Sequence, residues 1–322
     1  MSISEIPARV SVRTVDDLVG LVPYLIGFHP AESLVIVVLC DGRVEVTARA
    51  DLAEVADPEG AAYLLGRLFE RFPTCQAWVL AYTDDAELAW DVLATSAALC
   101  GMMRLGRLIH VGDRFWRSDT PDGETGEVGA SPAAVHAAVI GLPARRSREE
   151  LYALVSGPGD EEVEELCDLF ESTATRLVEL GERPARRLLA RLLRSGGERS
   201  RAEWVLLAVL VADPEATIRL LAAMDAAAAD HLVAVWTQVV RHCLVPYLPN
   251  PLGLLGVAAW LTGDGAMASV CLERIERIDP ASPMASLLAE IIAEVLPPSA
   301  WPQDRAALVA GAEARFRAAV RT

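Results

Sequence analysis

The sequence contains no lysine; all 29 of its basic residues are arginine. That absence excludes a Walker A loop and a kinase-type phosphate lysine. It also excludes every Schiff-base reaction, including pyridoxal phosphate attachment. Other catalytic signatures are missing too. No GxSxG elbow presents a nucleophile, and Ser33 has no local oxyanion loop. No HExxH or CxxC gathers metal ligands, and His242-Cys243 is an isolated pair better suited to a core than to a metal. No GxGxxG follows a strand, which argues against dinucleotide binding. The six cysteines, at 40, 75, 100, 167, 243 and 271, lie far apart. They read as small buried hydrophobes in a reducing compartment, not as a disulfide frame. No apolar run approaches the roughly 18 residues of a membrane span. The longest, Leu34 to Cys40 and Trp204 to Ala212, have the lengths of a core strand and a core helix. Met1 to Arg13 lacks the basic-then-apolar layout of a secretory signal, so the expected location is cytoplasmic.

What is present suits a soluble globular protein. The 322 residues are 52% hydrophobic and 23% charged, enough for about two domains with substantial cores. The formal net charge of -16 repels phosphates and anionic membrane surfaces. Neither nucleic acid nor membrane is expected as a partner.

The first half reads as α/β. Ala8 to Arg13 has the pattern of a short strand, and Thr14-Val15-Asp16-Asp17 caps a helix running towards Ile26. His29-Pro30 forces an extended approach to Leu34–Leu39, which is apolar on both faces as an interior strand requires. Asp41-Gly42 supplies a two-residue hairpin turn, and Val44 to Asp51 alternates apolar and polar. Pro58 opens a helix to about Phe72, Gln76–Tyr82 is a third strand, and Asp84 caps a helix with Leu88, Val92 and Leu99 on its apolar face. Arg104–Val111 and Arg114–Ser118 form a second hairpin, and Asp119–Gly129 is a polar surface loop. Ser131-Pro132 and the capping box at Ser147 open two further helices. The fold class is an α/β domain, 1–156, with a mixed layered sheet, hairpins and crossover helices.

Ser156-Gly157-Pro158-Gly159 marks the boundary to an all-helical domain, 160–322. Helices are predicted near 160–180, 184–195, 201–212, 214–224, 228–243, 251–262, 265–278, 283–296 and 303–320. Leu255-Gly256, Ala259, Ala268, Leu272 and Pro280 fall at the spacings of one tetratricopeptide-like helix pair, with Gly263-Asp264 at its turn. One unit is fewer than a solenoid needs, so a helix hairpin inside a globular domain is preferred to a peptide groove. Arg183, Arg186, Arg187, Arg191 and Arg194 form a basic stripe that follows an acidic helix start at Asp160, Glu161, Glu162, Glu164 and Glu165. Pairing between these two helices, or plain solvated faces, outweighs a phosphate site given the net charge.

One polar cluster is the candidate site. An unbroken hairpin ladder places Leu34 opposite Arg49, Ser33 opposite Ala50 and Glu32 opposite Asp51, so His29, Glu32, Ser33, Arg49 and Asp51 converge at its open end. Tyr82, Asp84 and Asp85 join them if the third strand lies beside the second. If it pairs with the first instead, they are expected at the far end. Such a group could bind a metal-phosphate ligand or position a general base. An ordinary ion pair with a capping histidine is the simpler account.

The chain resembles the actinobacterial family known as domain of unknown function 4192. The resemblance rests on Leu21-Val22-Pro23-Tyr24-Leu25-Ile26-Gly27-Phe28-His29-Pro30, on Ser33-Leu34-Val35 and on Thr47-Ala48-Arg49-Ala50-Asp51-Leu52. It continues in Ala258-Ala259-Trp260, Gly263-Asp264-Gly265-Ala266, Asp279-Pro280 and Leu296-Pro297-Pro298-Ser299-Ala300-Trp301. Members are expected to carry a cysteine-rich segment after an aromatic pair. Here Phe115-Trp116-Arg117-Ser118-Asp119-Thr120-Pro121 stands in that place without cysteine, so no metal or redox role carries over. The resemblance implies no activity and names no cofactor. Two functions stay open: a non-enzymatic binding or regulatory protein whose helical domain engages a protein partner, and a small-molecule or metal-phosphate enzyme, hydrolase-like, using the polar cluster.

Overall fold

The computed structural model describes residues 12–100, 105–129, 131–142, 144–194 and 198–319. The expected strand over Ala8–Arg13 falls mainly on residues outside that range, and Val12 and Arg13 are not in a strand. Thr14 is extended and its hydroxyl accepts the Asp17 amide at 3.1 Å, which starts helix α1 (Val15–Leu25). Strand β1 (Ser33–Cys40) follows, buried from Ser33 to Val38, and then strand β2 (Arg43–Asp51), only half covered. Asp41 and Gly42 have φ of 52° and 73°, the left-handed pair that a tight hairpin turn needs. Helices α2 (Leu52–Val55) and α3 (Pro58–Arg71) lead to β3 (Gln76–Tyr82). Helix α4 (Ala86–Cys100) then joins β3 to β4 (Leu105–Val111). The sheet ends with β5 (Phe115–Ser118) and β6 (Thr125–Glu127), the latter a short strand inside the segment expected to be loop, and helix α5 (Pro132–Val139) completes the unit.

The six strands run in the order β2-β1-β3-β4-β5-β6. β1 is interior and β2 is an edge, which explains why one reads apolar throughout and the other alternates. The hairpin register differs from the unbroken ladder by one residue. Cys40 opposes Arg43, but a bulge at Val38/Leu39 leaves Glu45 unpaired, so Ser33 faces Asp51 and Val35 faces Arg49. β3 pairs with β1, not β2. It runs antiparallel with Tyr82 opposite Ser33, so the end of β3 arrives at the open end of the hairpin, not at the far end expected for that pairing. Two strands flanking β1 in opposite direction must both finish where β1 begins. β3 and β4 are parallel, with Tyr82 beside Val111, and Val111 in turn faces Trp116 of β5. Asp51, Ser33, Tyr82, Val111 and Trp116 thus form one row on one face of the sheet.

Helices cover both faces. The Trp116 indole donates to Asp16 of α1 at 2.7 Å. On the opposite face, Trp90 of α4 meets the His110 ring edge-on at 6.4 Å. Asp17, buried, accepts the Ala133 amide at 3.3 Å and ties α1 to α5. Leu99 of α4, assigned to the apolar face from sequence, is 43% exposed.

At the opposite end of β1, Cys40 and Cys75 are joined in a disulfide with Cα atoms 4.7 Å apart. This corrects the reading of all six cysteines as free hydrophobes. Leu39 faces Gln76, so the next residue outward on each strand is a cysteine, and the pairing of β1 with β3 brings them together. Cys100, Cys243 and Cys271 are buried thiols, and Cys167 is exposed. Burial pushes the Cys243 and Cys271 thiols well above the ordinary range, which keeps them inert. The neighbouring His242 is bonded through Nδ1 to the Gln238 carbonyl, within its own helix.

The chain divides between Arg148 and Glu149. Beyond the start of α6 (Arg148–Leu154), every regular element described is helical. These are α7 (Asp160–Leu180), α8 (Glu182–Arg194), α9 (Arg201–Leu210), α10 (Pro214–Ala223) and α11 (Ala229–Arg241), then α12 (Pro249–Leu261), α13 (Gly265–Ile278), α14 (Pro283–Ala293) and α15 (Trp301–Ala319). The α12–α13 hairpin is the tetratricopeptide-like pair, and Asp264 caps α13 by accepting the Met267 amide at 2.9 Å. α12 is buried at every position from Pro251 to Leu261. A Cβ on Gly253 would stand 2.4 Å from the Met284 side chain, and one on Gly256 2.7 Å from that of Leu288. The small residues let α14 close over α12, so this helix is the axis of a core and offers no open groove.

Candidate functional site

Tyr82 and Val111, in the middle of the row that crosses the sheet, line a cleft of about 710 Å3. Its floor is the end of the parallel pair: Tyr82-Thr83-Asp84 after β3 and Val111-Gly112-Asp113 after β4. Ligands favour this edge of open α/β sheets, because loops leaving adjacent parallel strands diverge there. One wall is the loop His29-Pro30-Ala31-Glu32. The other is apolar and comes from α1 and α5, including Val19, Pro23, Tyr24, Ala134 and Val135.

Backbone bonds fix the floor. The Thr83 amide donates to Val111 O at 3.1 Å, and the His110 Nε2 donates to Thr83 O at 2.9 Å. The Asp113 amide donates to Asp84 Oδ1 at 2.8 Å, which closes one turn onto the other. Glu32 is held from both ends. Its carboxylate accepts the Thr83 hydroxyl at 2.8 Å, and its carbonyl accepts the Leu52 amide at 3.0 Å. Its φ is 43°, a left-handed conformation costly for a side chain with a Cβ. The Tyr82 hydroxyl is buried with no hydrogen-bond partner, and burial holds its pKa far above the ordinary value, so it stays protonated.

The predicted cluster therefore splits. His29, Glu32, Tyr82 and Asp84 line the cleft. Ser33, Arg49 and Asp51 do not; they satisfy one another beside it. Arg49 Nε donates to Ser33 Oγ at 2.9 Å and its guanidinium meets Asp51 at 2.5 Å, while Ser33 Oγ donates to Ala31 O at 2.6 Å. Asp85 is occupied too. It caps α4 by accepting the Glu87 and Leu88 amides at 3.0 and 3.1 Å, the role assigned to Asp84 from sequence. Sequence reasoning missed Thr83 and Asp113. The hairpin between Val111 and Arg114 was legible, but the meeting of its turn with Asp84 follows only from the parallel pairing of β3 with β4.

Among the described residues, no three His, Cys, Asp or Glu side chains stand close enough together to hold a metal ion. The cleft's described lining contains no arginine, against three carboxylates from Glu32, Asp84 and Asp113.

Residues 16–299 match the family described as domain of unknown function (DUF4192). The chain belongs to that family. No curated protein and no solved structure matches it. Within this DUF4192 chain the family-like segment at 21–30 contributes Pro23, Tyr24, His29 and Pro30 to the cleft, and the segments at 33–35 and 47–52 carry the Ser33, Arg49 and Asp51 set beside it. The Phe115–Ser118 segment, where cysteines were expected, is strand β5, with Trp116 anchored to Asp16.

Proposed function

We propose that the protein is a non-enzymatic binding protein whose ligand is a small cation with an apolar body, held in the cleft at the ends of β3 and β4. One observation carries this. A cleft of about 710 Å3 with apolar walls has Glu32, Asp84 and Asp113 on its lining and no arginine among the described residues there. The volume suits a small molecule. Three carboxylates set a negative potential that attracts an ammonium group and repels phosphate or carboxylate. The hydrolase reading draws less support, since a metal-phosphate substrate would face this same potential with no arginine and only His29 as a basic side chain on the described lining.

The test is a thermal-shift titration of the full chain with n-octylamine and, separately, n-octanoate. Octylamine is expected to raise the melting temperature and octanoate to leave it unchanged. The shift should vanish in Asp84→Asn combined with Glu32→Gln. Equal responses to the two probes, or none to octylamine, would remove the proposal.

The same proposal places the protein in the cytoplasm. No helix among the described residues is long and apolar enough to cross a membrane. In a reducing compartment Cys40 and Cys75 would stand as thiols and not as the disulfide, so cysteine trapping in intact host cells that finds them bonded would remove this location.

A further inference from the structure

A second concavity, of about 740 Å3, lies in the helical unit between α7, α8 and α9. Its apolar surface comes from leucines that are only half-buried, Leu169 and Leu177 of α7, Leu188 of α8 and Leu206 of α9. Leu169, Leu177 and Leu180 recur along one side of α7, so the groove runs about 16 Å, three helical turns. Arg176, Arg187 and Arg191 stand on its rim, all exposed.

The basic stripe of α8 is therefore not spent on the acidic start of α7. Those acids are used elsewhere, Glu162 and Glu165 pairing with Arg201 of α9. Arg186, on the other side of α8, pairs with Glu182 and Glu215. Arg176 and Arg187 make no ion pair among the described residues. The one acid lining the groove, Glu203, accepts the Ser200 amide at 2.9 Å and its hydroxyl at 3.1 Å, which lowers its pKa and commits it to capping α9. The lining thus carries three arginines against one glutamate on a chain of net charge -16. Local sign opposite to the global sign is what a specific acidic partner requires, since the rest of the surface repels it.

We infer that this groove docks an acidic amphipathic helix from a partner protein. Leucines spaced by three and four residues would fill the channel, and flanking Glu or Asp would meet the arginines, whose planar forks suit carboxylates. The sequence-level expectation of a protein partner gains a definite surface here, independent of the cleft in the α/β unit.

The experiment uses the full chain and a fluorescein-labelled peptide of about four helical turns, with leucine at helical spacing and glutamate elsewhere. A control peptide carries lysine at every glutamate. Fluorescence anisotropy should show binding of the glutamate peptide alone, weakening steeply with salt. Arg187→Glu with Arg191→Glu should weaken it at least about tenfold, while Arg241→Glu, exposed on α11, should not change it. Because these side chains are exposed, an unchanged circular-dichroism spectrum and melting temperature will confirm folding. The inference is overturned if neither peptide binds, if the lysine peptide binds equally, or if the double reversal leaves binding intact. It is also overturned if sedimentation shows the chain self-associating through a contact that the double reversal abolishes, which would assign the groove to a second copy.

Discussion

The two ends of β1 are flanked by the same two strands, β2 and β3, and do opposite things. At the Cys40 end, a tight turn closes β1 onto β2 and a disulfide closes it onto β3, leaving the strands fastened on both sides. At the Ser33 end, the neighbours finish and separate, and polar side chains stand around a cleft. The difference is one of topology. Antiparallel strands joined by a two-residue loop have no room between them, whereas the parallel pair β3 and β4 must send their chains off through α4 and β5. The first end is fastened by a turn and a cross-link; at the second the polar residues divide into a paired set and an open set.

The disulfide is the strongest test of this contrast. Replacing Cys40 and Cys75 by serine should lower stability by about 4 kcal/mol, the loss expected from releasing a loop of this length in the unfolded chain. Chemical denaturation with and without reductant will measure it. The octylamine response at the other end should survive, because no cleft residue touches the bond; losing both together would show that the ends are coupled.

Next in size is the paired set. Arg49 is 16% exposed in its side chain and bonded to both Ser33 and Asp51. Asp51→Ala leaves that guanidinium half-buried without its anion and should cost about 1–2 kcal/mol. Amine binding should be unchanged, since Asp51 does not line the cleft. A drop in octylamine affinity instead would return Asp51 to the candidate site.

Thr83→Val then probes the open set. It removes the hydroxyl that bonds Glu32 and accepts the Asp85 amide at 3.2 Å. About 1 kcal/mol of stability should go with it, and octylamine binding should weaken because the Glu32 carboxylate is no longer held. Unaltered binding would show that the anchor is dispensable.

Much of this was legible in the residues. Helix limits came from caps such as Thr14 and Ser131, and β1 declared itself interior through Leu34 to Val38. What stayed hidden depended on pairing. A one-residue bulge at Glu45 exchanges Ala50 for Asp51 opposite Ser33, and alternation cannot locate it because β2, at the sheet edge, is nowhere fully buried. The cysteines, 35 residues apart, needed the partner of β1 to be known. The Arg49–Asp51 pair was among the ion pairs the residues suggested, but the division between Asp84 and Asp85 was out of reach, because they are adjacent and of one type. Only the positions of the α4 amides and the β4 turn decide which carboxylate caps the helix and which faces the cleft.

The smallest effect on stability should come from Glu32, and it separates backbone from charge. Glycine accepts φ of 43° freely, whereas glutamate is held there at a cost of about 1 kcal/mol. Glu32→Gly gains that relief but gives up the Thr83 bond and adds freedom to the unfolded chain, a loss of similar size. The melting temperature should therefore barely move. Glu32→Gln keeps the strain and the acceptor oxygen and loses only the charge, so it too should leave stability nearly unchanged. Both should reduce the octylamine shift, the glycine variant more. If Glu32→Gln binds octylamine as the wild type does, the carboxylate is there to fold the loop, and the cleft's negative potential must be assigned to Asp84 and Asp113 alone.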